Sequence, residues 1–350
     1  MNTSFLHRIN FKLNIWRTRF IYQRIDKIHI PTNKKEIRLF VIARNESLRF
    51  PYFLKYYFEK GVDRIFLIDN NSTDNTREIA LSYPNVHVFK INESFKNFWY
   101  WIQFFLEKYG KNMWCMVVDV DELFSYPYAE IAPLRVLISY MELNNYEAIR
   151  SFLLDIYSEK PISKTGYKQN DNPLECCPYF DLNFYSGQVR LFDKSRWEYF
   201  NTTIYFGGMR ERVFNKITGS SWNYHLSKIS LFKNTSNIYL TEGMHAINGA
   251  TLADITGVVF HSKHLQDFAP RVEAESKREV HFGNALEYKI YNQACLMEKN
   301  IILYFQNSVK YKNTKQLVKL GLMKNSIMFN AYLAERNLNF ANHSGKIESY

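Results

Sequence analysis

Val117-Val118-Asp119-Val120-Asp121-Glu122-Leu123-Phe124 is the stretch on which the reading of this chain turns. The apolar run at 115–118 predicts a buried strand, and it leads directly into three carboxylates within four residues. Carboxylates crowded at a strand's C-terminal edge are costly unless cations sit among them. In an open α/β sheet that edge is where ligands bind. Strand alternation predicts that Asp119 and Asp121 share one side, with Val120 turned away. Two such carboxylates can hold a hard divalent ion, which can in turn bridge the phosphates of a nucleotide. An isolated Asp-x-Asp would read as a solvated acidic turn, so the rest of the chain has to decide.

Working outward, the text alternates between strands and helices. Strands are predicted at 38–43 (RLFVIA), 64–69 (RIFLID), 86–91 (VHVFKI) and 113–118, and helices at 51–60, 75–82 and 95–108. Gly61 closes the first of these helices, and Ser72-Thr73-Asp74 precede the second as cap residues. Alternation of this kind predicts a doubly wound, mostly parallel sheet flanked by helices. Beyond Glu147 the sequence is loop-rich and β-like to about Phe260, and from about Gln266 it turns helical and polar, with a frayed final dozen residues. The division expected is a basic amphipathic segment at 1–35, a catalytic unit at 36–265 and a helical C-terminal extension at 266–350. In the first segment Leu6, Ile9, Leu13, Trp16 and Phe20 fall at helical spacing, flanked by Arg8, Lys12, Arg17 and Arg19. That helix reads equally as one lying on an anionic membrane and as one docked on the protein's own core.

Composition narrows the partners. The net charge of +11 and pI near 9.2 favour anionic ligands: nucleoside diphosphates, anionic lipid or nucleic acid. No zinc finger, RNA-binding signature or long basic-aromatic stripe occurs, so nucleic acid is not expected. The 17% of aromatic residues suit a large core and also sugar-stacking surfaces. Four cysteines, two of them adjacent, have neither metal-ligand spacing nor the look of a disulfide framework. No signal peptide or membrane-spanning stretch is evident, and sequons at Asn45 and Asn71 would put glycans into the expected site. A cytoplasmic location is expected, with peripheral contact at the inner face of the cytoplasmic membrane.

Two further polar turns follow strands and so belong to the same rim as the acidic turn. Ala43, Arg44, Asn45 and Glu46 come after the first strand, and the run containing Asp69, Asn71 and Asp74 after the second. Their short polar groups can hydrogen-bond a nucleobase and ribose. Asp69-x-Asn71-x-Thr73 also resembles the start of a calcium loop, but Asp74 replaces the required glycine and Ala80 the closing carboxylate.

Together the blocks ARNE, LIDNNSTDNT and VVDVDELF resemble the glycosyltransferase family 2 superfamily of the GT-A fold, most of all a bacterial branch of it. FGGMRERVF (206–214), SKISLF (227–232), EGMH (242–245) and VVFHSKHL (258–265) continue the resemblance, which spans roughly 36–290. It implies metal-dependent sugar transfer, with inversion, from a nucleotide-sugar to a cell-surface glycan or lipid-linked saccharide acceptor, with Mn²⁺ or Mg²⁺ as cofactor. It further implies that Asp119 and Asp121 form the DXD pair, that Asp69 meets the base or ribose, that His261 completes the metal shell and that Lys263 meets the diphosphate. Val120 lies within that donor site. His-Ser-Lys stands where the family more often has His-Phe-Lys, and the QxxRW element of processive synthases is absent.

Arg210 and Arg212, following two glycines, suit a phosphate or sugar carboxylate, or else a salt bridge. His245 could meet the acceptor or support the metal site. The catalytic base stays unassigned among Glu122, Glu211, Asp254 and Glu275. Two other readings stay open: a nucleotidyl or phosphosugar transferase on a similar sheet, and a non-catalytic nucleotide- or glycan-binding module. The first would want a glycine-rich phosphate loop, which Ala43–Glu46 lacks.

Overall fold

The computed structural model describes residues 3–190, 202–236, 238–241 and 244–338; of residues 3–8, 189–190 and 202 it describes the backbone alone. The final dozen residues, Glu242 and Gly243 of EGMH, and the side chains of Leu6 and Arg8 lie outside the described residues.

In chain order the main elements are α1 (Thr3–Ile21), β1 (Tyr22–Arg24), β2 (Ile37–Ala43), α2 (Phe50–Glu59), β3 (Arg64–Asp69), α3 (Thr76–Leu81), β4 (Val86–Ile91), α4 (Phe98–Tyr109), β5 (Trp114–Val117) and β6 (Glu122–Ser125). There follow α5 (Leu134–Leu143), β7 (Ala148–Asp155), β8 (Ser227–Lys233), β9 (Gly257–His261), α6 (Phe268–Arg278), α7 (Phe282–Met297) and α8 (Ile327–Ala334). Among the described residues, nine strands form one sheet in the order β1-β4-β3-β2-β5-β8-β7-β9-β6. Six of them (β4, β3, β2, β5, β7 and β9) run the same way, while β1, β8 and β6 oppose them.

The central strands are apolar on both faces because both faces are covered. Every residue of β2 and β3 is buried. One face carries Leu39, Val41, Ile65 and Leu67 against α2 and α5, with Phe329 and Leu333 of α8 in the same core. The other carries Phe40, Phe66 and Phe89 against Trp101 and Phe105 of α4. The C-terminal extension is therefore packed into the body, with α6 and α7 against each other and, through Phe268 and Tyr291, against Phe214. Gly61 ends α2 at φ +96°, as its place after the helix predicts. At the N-terminal edge of the sheet, Glu36 accepts hydrogen bonds from Arg38 and Arg64, both buried, so that these charges sit in a closed network away from the rim.

One local expectation is corrected. Residues 118–121 do not continue β5 as an extended chain. The Glu122 amide donates to the Asp119 carbonyl at 3.1 Å, and Val120-Asp121 form a turn before β6. Alternation along a strand therefore does not place the two aspartates; the turn does.

Candidate functional site

A cleft of about 1450 Å³ opens at the C-terminal ends of the parallel strands. Register explains what meets there. Ala43 of β2 pairs with Asp69 of β3, and His261 of β9 lies opposite both Asp155 of β7 and Glu122 of β6. Of the residues expected at the site, Ala43, Arg44, Asn45, Glu46, Asp119, Val120, Asp121, Arg210, His245, His261 and Lys263 all line the cleft.

At its floor, the His261 Nε2 stands 3.6 Å from the Asp121 Oδ2, while its Nδ1 is held 2.6 Å from the Asp155 Oδ1. The other Asp155 oxygen accepts from Arg210 Nε at 2.8 Å. Burial disfavours the imidazolium, but Asp121 and Asp155 outweigh it and raise the His261 pKa to about 9. Burial would also raise the Asp121 carboxyl; His261, Arg271 and Lys263 outweigh it and hold it well below the usual range. A carboxylate behind an imidazole whose far nitrogen faces a second carboxylate is how metal-binding histidines are oriented. The donor set fits Mn²⁺ or Mg²⁺ held by Asp121 and His261 and completed by phosphate oxygens and water. Among the described residues no three His, Cys, Asp or Glu groups form a ready-made metal cluster, so the protein alone offers an incomplete shell.

Asp119 is engaged otherwise. Buried Lys228 donates to Asp119 Oδ2 at 3.1 Å and to Glu122 Oε2, and Glu122 also accepts from the Asp119 amide at 2.7 Å. Burial lowers the lysine's proton affinity, but the two carboxylates more than restore it, so Lys228 stays charged. Glu122, which also lines the cleft, is thereby paired with Lys228.

The other base candidates are also placed. Asp254 accepts from Tyr140 at 2.9 Å and does not line the cleft, and neither does Glu211. Glu275 lines it but is bound by Arg278 and His281. Asp69 is fully buried, caps the Ser72 amide at 3.1 Å and pairs with Arg77, so it shapes the turn from beneath. Asp74 accepts from the amides of Ser47 and Thr76, and neither it nor Asn71 reaches the cleft; Asn70 does. A short carboxylate next to free backbone amides satisfies them first, which is why these positions serve the turn. Arg212 likewise forms a salt bridge, to Asp181 at 2.7 Å. His245 is pushed down to about 4 by burial and Lys228, and its Nδ1 lies 3.1 Å from the Ser227 carbonyl. It is a neutral imidazole facing the cleft.

Sequence reasoning missed Asp155, Lys228, Arg271 and Glu287. Lys263 lies 3.3 Å from Glu287 and above the Tyr288 ring, and Arg271 binds Glu46. Two signals were available. Asp155 ends an apolar run, FLLD, much as Asp69 ends FLID, and Lys228 is a cation within the strand-like run SKISLF. At the cleft mouth, Gly283, Asn284 and Ala285 begin α7 in left-handed conformation, with φ of 60°, 55° and 61°. Such backbone costs about 1–2 kcal/mol for each non-glycine residue. Strain here borders the site, where strained backbone tends to collect.

Two predictions arise directly. Asp155→Asn is expected to weaken Mn²⁺ binding by roughly 10- to 100-fold, as loss of a ligand-orienting partner does; calorimetric titration of wild type and variant checks it. Glu275 and Glu287 are both brought to about 2, against burial, by His281 and Arg278 in one case and by Lys263 and Arg210 in the other. Their folded pKa values lie below those of the unfolded chain. The stability they add is complete above about pH 4.5 and is lost as the pH falls toward 2. Urea midpoints from pH 6 to 3 should fall for wild type and fall less for Glu275→Gln.

No protein-family model and no curated protein matches the chain. Solved structures give distant similarity. Glucosyl-3-phosphoglycerate synthase from Mycobacterium tuberculosis, in complex with Mn²⁺, UDP and glucosyl-3-phosphoglycerate, is 14% identical over 34% of this chain and 44% of its own, with a TM-score of 0.24. The chain thus spans less than half of that enzyme. The mannosyltransferase PcManGT from Pyrobaculum calidifontis, with GDP-Man and Mn²⁺, is 13% identical over 97% and 90%, with a TM-score of 0.27. UTP-bound UGPase from Acinetobacter baumannii is 8% identical over 73% and 97%, with a TM-score of 0.30.

Proposed function

We propose that the protein is a GT-A-type glycosyltransferase that moves a sugar from a nucleotide-sugar donor, with Mn²⁺ or Mg²⁺, to a cell-surface glycan or lipid-linked saccharide. The observation that carries this reading is the convergence of Asp121, His261 and Lys263 at the floor of a cleft on the C-terminal rim of the sheet. A bound divalent ion would supply neutralisation of the leaving diphosphate. The chain's own residues would do the rest. Asp121 and His261 fix where the diphosphate lies, and Asp155 with Arg210 keeps the imidazole turned toward it. Lys263 and Arg271 add fixed positive charge where negative charge develops on the departing phosphates, in a site already organised before reaction. Arg44, Asn45 and Asn70 offer polar groups for the nucleoside, and Phe206, Trp222 and His245, which also line the cleft, offer a surface for an acceptor sugar. The turn after β2 has no glycine, which favours glycosyl over nucleotidyl transfer.

Release of nucleoside diphosphate from a panel of nucleotide-sugars, with Mn²⁺ and with chelator, tests the reading. Metal-dependent turnover of one donor is expected. Binding of a donor without turnover, unchanged by chelation and by Asp121→Ala, would instead support the non-catalytic module.

A further inference from the structure

We infer that α1 is a two-faced docking helix that seats the protein on an anionic phospholipid bilayer. Among the described side chains, Phe11, Ile15 and Thr18 are buried. Phe11 meets the rings of Trp99 and Tyr100 edge-on at 5.5 Å, which fixes α1 against α4. The apolar stripe visible in the sequence is the other face. Ile9, Leu13, Trp16 and Phe20 are 41, 57, 55 and 66% exposed. Four large apolar side chains on one stripe are not scattered surface residues, and such patches mark contact sites.

Charge selects the occupant. Beside the stripe runs a groove of about 760 Å³ lined by Lys12, Arg19, Lys108, Lys111 and Trp16, with Glu107 as the one carboxylate among its described lining residues. Arg17 adds a further exposed cation, paired only at 3.3 Å with Glu93. An apolar stripe ending in aromatic rings next to clustered Lys and Arg is the pattern that enters a bilayer interface while its cations meet lipid phosphates. Neither signal holds a protein at a membrane well alone, and here both share one face. The helix also packs beside the site, because Trp99, which Phe11 meets, lines the cleft. Seating α1 on a bilayer would therefore bring the cleft close to the membrane surface.

This inference concerns a face outside the cleft and does not rest on the transferase reading. Co-sedimentation of the full chain with vesicles tests it, using phosphatidylcholine alone and with roughly a third phosphatidylglycerol. Binding is expected to the anionic vesicles, at least about tenfold stronger than to neutral ones and weakened by salt. Leu13→Ser/Trp16→Ser/Phe20→Ser should lower it by about tenfold or more, and Lys12→Glu/Arg19→Glu should remove most of the preference for anionic lipid. Both variants alter exposed residues away from the cleft, so the unfolding temperature reports whether the fold is kept. Absence of binding to anionic vesicles, or binding that neither variant changes, would overturn the inference. So would a dimer in light scattering that the triple variant dissolves, since a second copy would then cover the stripe.

Discussion

Asp121→Asn should reduce metal-dependent release of nucleoside diphosphate by roughly a thousandfold, the scale set by losing a preorganised charge at a reacting centre. The geometry explains why so small a change has so large an effect. Among the described residues, Asp121 is the one carboxylate within salt-bridge distance of His261 Nε2; Asp119 and Glu122 are both held by Lys228. The variant keeps the shape of the side chain and loses its charge. His261 retains Asp155, and the turn retains the bond from the Ser262 amide to the Asp121 carbonyl. The fold should therefore survive, with a thermal midpoint close to that of wild type, while Mn²⁺ affinity collapses. Asp119→Asn should do less, because that carboxylate already has a cation of its own. Equal loss in both variants would show that the DXD pair acts as a unit, as the sequence resemblance implies.

Lys228→Met is expected to cost about 3–5 kcal/mol of folding stability, as removing one partner of a buried ion cluster does. Lys228 and Glu122 are both almost wholly buried, and only Asp119 reaches solvent. Burial already raises Glu122 to about 7 even with the lysine's pull. Its folded pKa thus lies above its unfolded one, so its contribution is best below about pH 4.5 and declines as the pH rises toward 7. Without Lys228 the decline continues to higher pH. The deficit of the variant should therefore grow from pH 5 to pH 8, and Glu122→Gln in the same chain should recover much of it. Denaturant midpoints of wild type and the two variants at two pH values decide this. A deficit independent of pH and not rescued would mean that lost packing, rather than an unpaired carboxylate, is the cause.

How much of this was legible in the sequence follows from where each signal lies along the chain. β3 and β4 have the predicted bounds, and β2, α2 and α3 begin or end within a residue of them, because short apolar runs bounded by turns are local patterns. The β7–β9 region was read only as loop-rich and β-like, since its strands pair across long separations; Ser227 lies opposite Phe152, and Gly257 opposite Ser151. The acidic turn was found, but which carboxylate remains available was not. That depends on Lys228, more than a hundred residues away and brought to the turn by the sheet. Asp69 and Asp74 are the converse case. Their residue type suits a nucleotide site, but the backbone amides beside them take their oxygens first. The stripe on α1 was legible as a stripe. Which side of the helix met the protein required Phe11 to be seen against α4 and Ile15 to be seen buried.

The central claim is that Asp121 and His261 hold a divalent ion which, with Lys263, receives a nucleoside diphosphate. Its most direct test is an anomalous difference map from crystals grown with Mn²⁺ and a nucleoside diphosphate. One strong peak is expected within coordination distance of Asp121 Oδ2 and His261 Nε2, with diphosphate oxygens completing the shell and Lys263 beside them. A nucleotide bound in the cleft with no metal peak at that pair, or a metal peak elsewhere, would contradict it.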